Sequence, residues 1–96
     1  MNFKIIYANT FYKQLSGLDE KSKRILRQKI ELIQQDPFRF KKIHSRLFNK
    51  VFRVRLGFEG KETRLVYVVK EPNVIIACLL ERKNDYRDLE KYLSKI

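Results

Sequence analysis

An α+β domain in the order β-α-α-β-β-β-α follows from two features of the sequence. One β-rich segment precedes two helical segments, and three further β-rich segments then run in succession through tight turns. The expected architecture is a small, mostly antiparallel sheet with a helical hairpin packed on one face. The chain has 96 residues and is 44% hydrophobic. It shows no repeat, low-complexity tract or linker, so residues 1–96 are expected to form a single domain.

The first strand is Asn2 to Tyr7, rich in aromatic and β-branched residues. Phe11, Leu15 and Leu18 then recur at helical spacing in a short segment ended by Ser16-Gly17. Asp19 is placed to cap a second helix with Leu26, Ile30 and Ile33 as its apolar stripe; Lys21, Lys23, Arg24, Arg27 and Lys29 cover the rest. Asp36-Pro37 stops that helix, because the residue before proline avoids the helical region. Residues 38–50 carry Arg39, Lys41, Lys42, Arg46 and Lys50 without a sustained period and read as a basic connecting loop.

Three strands follow. Phe52, Val54, Leu56 and Phe58 alternate with Arg53 and Arg55, so the two arginines share the face opposite the apolar one. Glu59-Gly60-Lys61 forms a hairpin turn, and Glu71-Pro72-Asn73 joins Thr63–Lys70 to Val74–Leu80. The last two strands are nearly continuous in apolar residues, as expected for inner strands covered on both sides. Asn84 or Asp85 is placed to cap a final helix with Leu89, Leu93 and Ile96 on one face. That stripe is expected to pack on the sheet, since an exposed one is a liability.

Charge narrows the function. Twenty-two Lys and Arg residues against 11 Asp and Glu leave a formal net charge of +11, which favours a polyanionic partner. One Cys (Cys78) and one His (His44) cannot build a structural zinc site, a His/Cys ligand cluster or an internal disulfide. Neither G-x-x-x-x-G-K-[ST] nor G-x-G-x-x-G occurs, which argues against nucleotide cofactors; no cofactor is expected. The N-terminal segment lacks the apolar core of a signal peptide, and Val74–Leu80 is far too short for a membrane span. A cytoplasmic protein without a membrane partner is expected. Cys78 lies inside an apolar run and reads as core, and His44 as an ordinary loop residue.

The chemistry concentrates in one constellation. Arg53 and Arg55 share a strand face, Arg64 begins the next strand across the hairpin, Arg82 follows the third strand, and Tyr86 comes one helical turn later. Lys50 and Lys61 are close in sequence to this set. Crowded guanidiniums repel one another, and an anionic ligand explains them more readily than stability does. A solvated basic surface, with Arg53 and Arg55 paired to Glu62 or Glu81, is the plainer alternative.

These residues carry a resemblance. Phe52-Arg53-Val54-Arg55-Leu56-Gly57, Thr63-Arg64-Leu65-Val66-Tyr67 and Glu81-Arg82-Lys83-Asn84-Asp85-Tyr86-Arg87 resemble, in order and spacing, three motifs of the RelE/ParE superfamily of toxins from type II toxin–antitoxin modules. The likeness spans nearly the whole chain and is greater to the RelE-type mRNA interferases. It implies a RelE-like fold and a metal-independent endoribonuclease that cleaves mRNA in the ribosomal A site. Arg53 and Arg55 would then contact substrate phosphate, Arg64 would stabilise charge developing on phosphorus, Arg82 would assist the leaving oxygen, and Tyr86 would serve as base or stacking platform. Lys41, Lys42, Arg46, Lys50, Lys61 and Lys83 would bind RNA. Many relatives have His where Glu81 stands, and some have lysines where Arg53 and Arg55 stand, so the acid and base are the least transferable assignments. The implied partners are the ribosome, mRNA and a RelB-like antitoxin with an amphipathic, acidic segment. A ParE-type inhibitor of DNA gyrase that cuts no RNA is the alternative toxin, and a basic binding module with the fold alone is a third reading.

Overall fold

The computed structural model describes residues 3–58, 60–81 and 87–96. Its elements in chain order are β1 (Lys4–Tyr7), α1 (Asn9–Leu15), α2 (Glu20–Gln35), β2 (Lys41–Ile43), β3 (Val51–Phe58), β4 (Lys61–Lys70), β5 (Asn73–Glu81) and α3 (Leu89–Leu93). The expected order holds with one addition. The basic segment 38–50 contains the short strand β2, which pairs antiparallel with β3, so the sheet has five strands in the order β1-β5-β4-β3-β2. β1 runs parallel to β5, and the other pairs are antiparallel.

Local chemistry sets the helix limits. Asp19 caps α2, its Oδ1 accepting from the Ser22 amide at 2.8 Å. Asp36 ends the helix ahead of Pro37. Gly60, in the β3–β4 hairpin, has a φ of 78°, a conformation open to glycine at little cost.

The sheet is covered on both faces, which is why β4 and β5 are so continuously apolar. On one face Phe11 of α1 and Leu26 and Ile33 of α2 pack against Phe52, Val54, Leu65, Tyr67 and Ile76. On the other, Leu89 and Leu93 of α3 cover Val51, Val66, Val68, Ala77, Cys78 and Leu80. The expected packing of the C-terminal stripe therefore holds for its two leucines; Ile96 lies beyond the helix and is exposed. The expected caps Asn84 and Asp85 lie outside the described residues.

The β4–β5 ladder contains one register shift. Val66 faces Cys78 while Tyr67 faces Ile76, so Ala77 is an extra residue in β5. Where β1 ends, α1 takes over as neighbour of β5. Gln14 Nε2 donates to the Leu79 carbonyl at 2.9 Å, and the Leu79 amide donates to Gln14 Oε1 at 2.7 Å. The Tyr67 hydroxyl donates to the Pro37 carbonyl at 2.5 Å and fixes the exit of α2 over the sheet.

Candidate nucleic-acid interface

The arginine constellation is assembled by strand register. In the β3–β4 ladder Arg55 stands directly opposite Arg64, and Arg53 stands opposite Val66. Alternation puts Arg53 and Arg55 on one face, and the cross-strand pairing puts Arg64 there too. β2 adds a fourth cation, since Lys41 is the cross-strand partner of Arg53. A row Lys41–Arg53–Val66 thus lies beside a row Arg55–Arg64–Leu80. Both are on the face that α3 covers at its apolar end.

The expected open basic face needs correction in one respect. Arg55 is exposed, but Arg53 and Arg64 each retain only 8% of their accessible surface. Neighbouring strands and the i±2 side chains flank them, so their stems are packed and little of each remains wet. Charges held at such a partly dry surface act on a ligand more strongly than the same charges in water. Arg55 Nε lies 3.6 Å from Glu62 Oε1. One of the pairings expected for a plain solvated surface therefore forms, and an exposed pair of this kind contributes little to stability.

The chain leaves β5 at Glu81, which faces Thr63, the neighbour of Arg64 on β4. Arg82, Lys83 and Tyr86, which come next in sequence, lie outside the described residues. At the hairpin end, Arg55, Leu56, Gly57, Gly60, Lys61 and Glu62 line a hollow of about 470 Å³. A Cβ placed on Gly57 would meet nothing within 4 Å, so this part of the arginine face is open beside Arg55.

Other expected RNA-binding residues are dispersed. Lys42 pairs across from Phe52 and Lys61 across from Phe58, on the face of α1 and α2. Lys50 sits over the Phe38 ring at 5.8 Å and 3.6 Å from Glu71 Oε1. The Arg46 amide donates to Glu90 Oε1 at 3.3 Å, which ties the basic segment to α3. Lys41 is the one residue of that segment whose register places it beside Arg53. The alternation Phe38-Arg39-Phe40-Lys41 was the available signal for this placement, because period two marks a strand.

Cys78 and His44 are as expected. Cys78 is fully buried, and burial pushes its thiol up to about 12 from the ordinary 9.0. His44 is exposed. Among the described residues no three His, Cys, Asp or Glu side chains gather as a metal site. Among them, too, no helix is long and apolar enough to cross a membrane.

A small sheet with helices on both faces and arginines converging from adjacent strands defines a RelE-like fold. The family model for phage-derived Gp49-like proteins (DUF891) matches residues 13–92, and the chain belongs to that family. It also superposes on the E. coli toxin RelE, solved in the free state as a variant with two arginines changed to alanine. That match has a TM-score of 0.76 at 18% identity and covers 100% of this chain and 99% of the other. No curated protein sequence matches this one. The resemblance to RelE-type members of the superfamily therefore holds for family and fold, and neither comparison favours the gyrase-inhibiting alternative.

Proposed function

We propose that this chain is the toxin of a type II toxin–antitoxin pair and acts as an endoribonuclease on mRNA in the ribosomal A site. The observation that carries the reading is the convergence of Arg53, Arg55 and Arg64 on one sheet face, with Arg55 and Arg64 directly opposed. Opposed like charges weaken a ladder, and three guanidiniums on one face suit the oxygens of a phosphate.

The chemistry asks little else of the protein. The 2′-oxygen attacks the adjacent phosphorus, a proton leaves the 2′-hydroxyl, and the P–O5′ bond breaks as O5′ takes up a proton. The products are a 2′,3′-cyclic phosphate and a 5′-hydroxyl. In this proposal Arg53 and Arg55 hold the phosphate in line, and Arg64 stabilises the charge that builds on its equatorial oxygens. One such electrostatic group is worth about 10²–10³ in rate. Arg82 assists departure of O5′, and Tyr86 is the base or the surface on which a base stacks, as the resemblance implies. A phenol ordinarily near pKa 10 can act as base only where cations favour its phenolate.

The remaining basic residues suit ribosomal RNA, whose binding is strongly salt-dependent. The site of action is then cytoplasmic. The partner is an antitoxin whose acidic segment complements the net charge of +11.

Purified protein added to ribosomes programmed with a defined mRNA tests the proposal by primer extension and end analysis. Cleavage within A-site codons leaving 2′,3′-cyclic phosphate and 5′-hydroxyl ends is expected. Growth arrest without cleavage, accompanied by inhibited supercoiling, would move the target to gyrase. Ends bearing 5′-phosphate would refute the 2′-hydroxyl mechanism.

A further inference from the structure

Two of the basic residues that the arginine face leaves aside meet again on the other side of the sheet. Lys42 stands across from Phe52. Lys50 lies one residue before β3, its carbonyl accepting from the Val69 amide at 2.9 Å. Phe52 and Val69 both belong to the core under α1 and α2. Next to Phe52, just past the end of α2, stands the ring of Phe38. It meets Phe3 and Phe52 edge to face, at 6.0 and 5.8 Å between ring centres, and Phe52 in turn stacks on Tyr67 at 5.6 Å. The Phe38 amide donates to Asp36 Oδ1 at 3.1 Å, and the Tyr67 hydroxyl pins the carbonyl of the buried Pro37 before it. Yet Phe38 keeps 44% of its surface exposed.

The charge around this ring is mostly positive. Lys50 Nζ lies 5.8 Å from its centre, and the Arg39 guanidinium lies 5.4 Å from the centre of the Phe40 ring. Lys42 is exposed one cross-strand step away. Two carboxylates are near: Asp36 in the turn, and Glu71, whose Oε1 is 3.6 Å from Lys50 Nζ. Both side chains of that pair are half exposed, so it is weak and readily exchanged for a phosphate. An aromatic fixed by two neighbouring rings and by its own turn loses little freedom when a ligand lies on it.

We propose that Phe38 is a stacking platform for an unpaired RNA base, with Lys50, Lys42 and Arg39 taking the phosphates on either side of it. An apolar anchor from a protein partner seeks a pocket of its own size. A lone ring flanked by cations offers instead a flat π-face and positive charge, which match the base and the phosphates of a nucleotide. The base takes the place over the ring that Lys50 holds in the free chain, and the ammonium turns to the adjoining phosphate. The inference deepens the proposed action on the ribosome and rests on it for the identity of the strand. A message held by Arg53, Arg55 and Arg64 lies on the opposite face of the sheet, so the stacked base belongs to ribosomal RNA.

The test titrates the full chain with a single-stranded RNA hexamer of uridines that carries 2-aminopurine at an internal position. Expected are quenched 2-aminopurine fluorescence and, in the ¹⁵N-labelled chain, saturable shifts centred on Phe38, Lys42 and Lys50. Phe38→Ala should weaken binding at least about fivefold, and Phe38→Trp, which keeps a π-face, should preserve it. An abasic site in place of the 2-aminopurine should cost as much as Phe38→Ala and leaves the protein's folding untouched. Equal binding by the two Phe38 variants would overturn the inference. So would equal binding of the abasic strand or of a duplex, or shifts centred on Arg53, Arg55 and Arg64 alone. A dimer in sedimentation that Phe38→Ala dissolves would give the ring to a second copy of the chain and overturn it too. On programmed ribosomes, Phe38→Ala should raise the ribosome concentration at half-maximal cleavage at least about fivefold. A fall only in the saturated rate would overturn the assignment to ribosomal RNA. The hexamer readout involves no cleavage, so a chain that binds it at Phe38 but cuts no mRNA refutes only the catalytic reading.

Discussion

Arg55 and Arg64 stand directly across from each other in the β3–β4 ladder, two guanidiniums on one face of adjacent antiparallel strands. Like charges in that relation destabilise a sheet by roughly 0.2–1 kcal/mol relative to neutral pairs. The 3.6 Å contact of Arg55 with Glu62 is largely solvent-screened and offsets little of this. Arg55→Thr is therefore expected to raise stability by up to about 1 kcal/mol while lowering mRNA cleavage by about 10²-fold or more. Urea unfolding and primer extension on the same preparation check both halves. A variant that loses stability would show that Arg55 serves the fold.

Gly57 follows Arg55 by two residues and leaves the hollow beside it open. Glycine inside a strand costs about 0.5–1 kcal/mol relative to a residue with a side chain. Gly57→Val is expected to leave stability equal or higher, because a Cβ there meets nothing, and to reduce cleavage by narrowing the approach to Arg55. Unchanged cleavage would place the substrate elsewhere on the face.

Gln14 makes two hydrogen bonds with the backbone of Leu79, at 2.9 and 2.7 Å, where β1 no longer reaches. Gln14→Leu leaves a buried donor and acceptor of β5 without partners, at a cost of about 1–3 kcal/mol. Denaturant unfolding measures the loss, and faster exchange of the Leu79 amide localises it.

Stability is expected to fall at alkaline pH through Cys78. Burial holds the folded thiol near pKa 12, whereas the unfolded thiol titrates near 9.0. Above pH 9 the unfolded state gives up a proton that the folded state keeps, so the equilibrium moves toward unfolding. The contribution is complete below about pH 9 and is lost as pH rises toward 12. The limiting slope for one such group is about 1.4 kcal/mol per pH unit. Tyr67 acts in the same direction above pH 10, raised first by burial and then by Asp36. Cys78→Val should flatten the fall between about pH 9 and 10, read from urea midpoints at each pH. The native thiol should also resist aromatic disulfide reagents at pH 8.

What was legible in the sequence was mostly local. Asp19 at the head of α2, Asp36-Pro37 at its end, and the alternation from Phe52 to Phe58 each announce themselves within a few residues. β2 is three residues long, and alternation over so short a span is too weak to tell a strand from a loop. With it went the position of Lys41 beside Arg53, which exists only once β2 has paired. The extra residue Ala77 was hidden inside an unbroken apolar run, and the parallel pairing of β1 with β5 joins segments about seventy residues apart. That the arginines share one face was readable from spacing. The depth of Arg53 and Arg64 was not, because it depends on which strands flank them.

The central claim is that Arg64, by its place opposite Arg55, carries activity in a way that net charge does not. The direct measurement compares cleavage by Arg64→Gln with cleavage by Arg24→Gln, which removes one equal charge from the exposed side of α2. Both are assayed on programmed ribosomes after a thermal melt confirms that each is folded. A fall of at least about 10²-fold for Arg64→Gln, against a change within about twofold for Arg24→Gln, is the expected result. Equal falls would reduce the arginine face to a generic basic surface, and no fall in either would remove it from the chemistry.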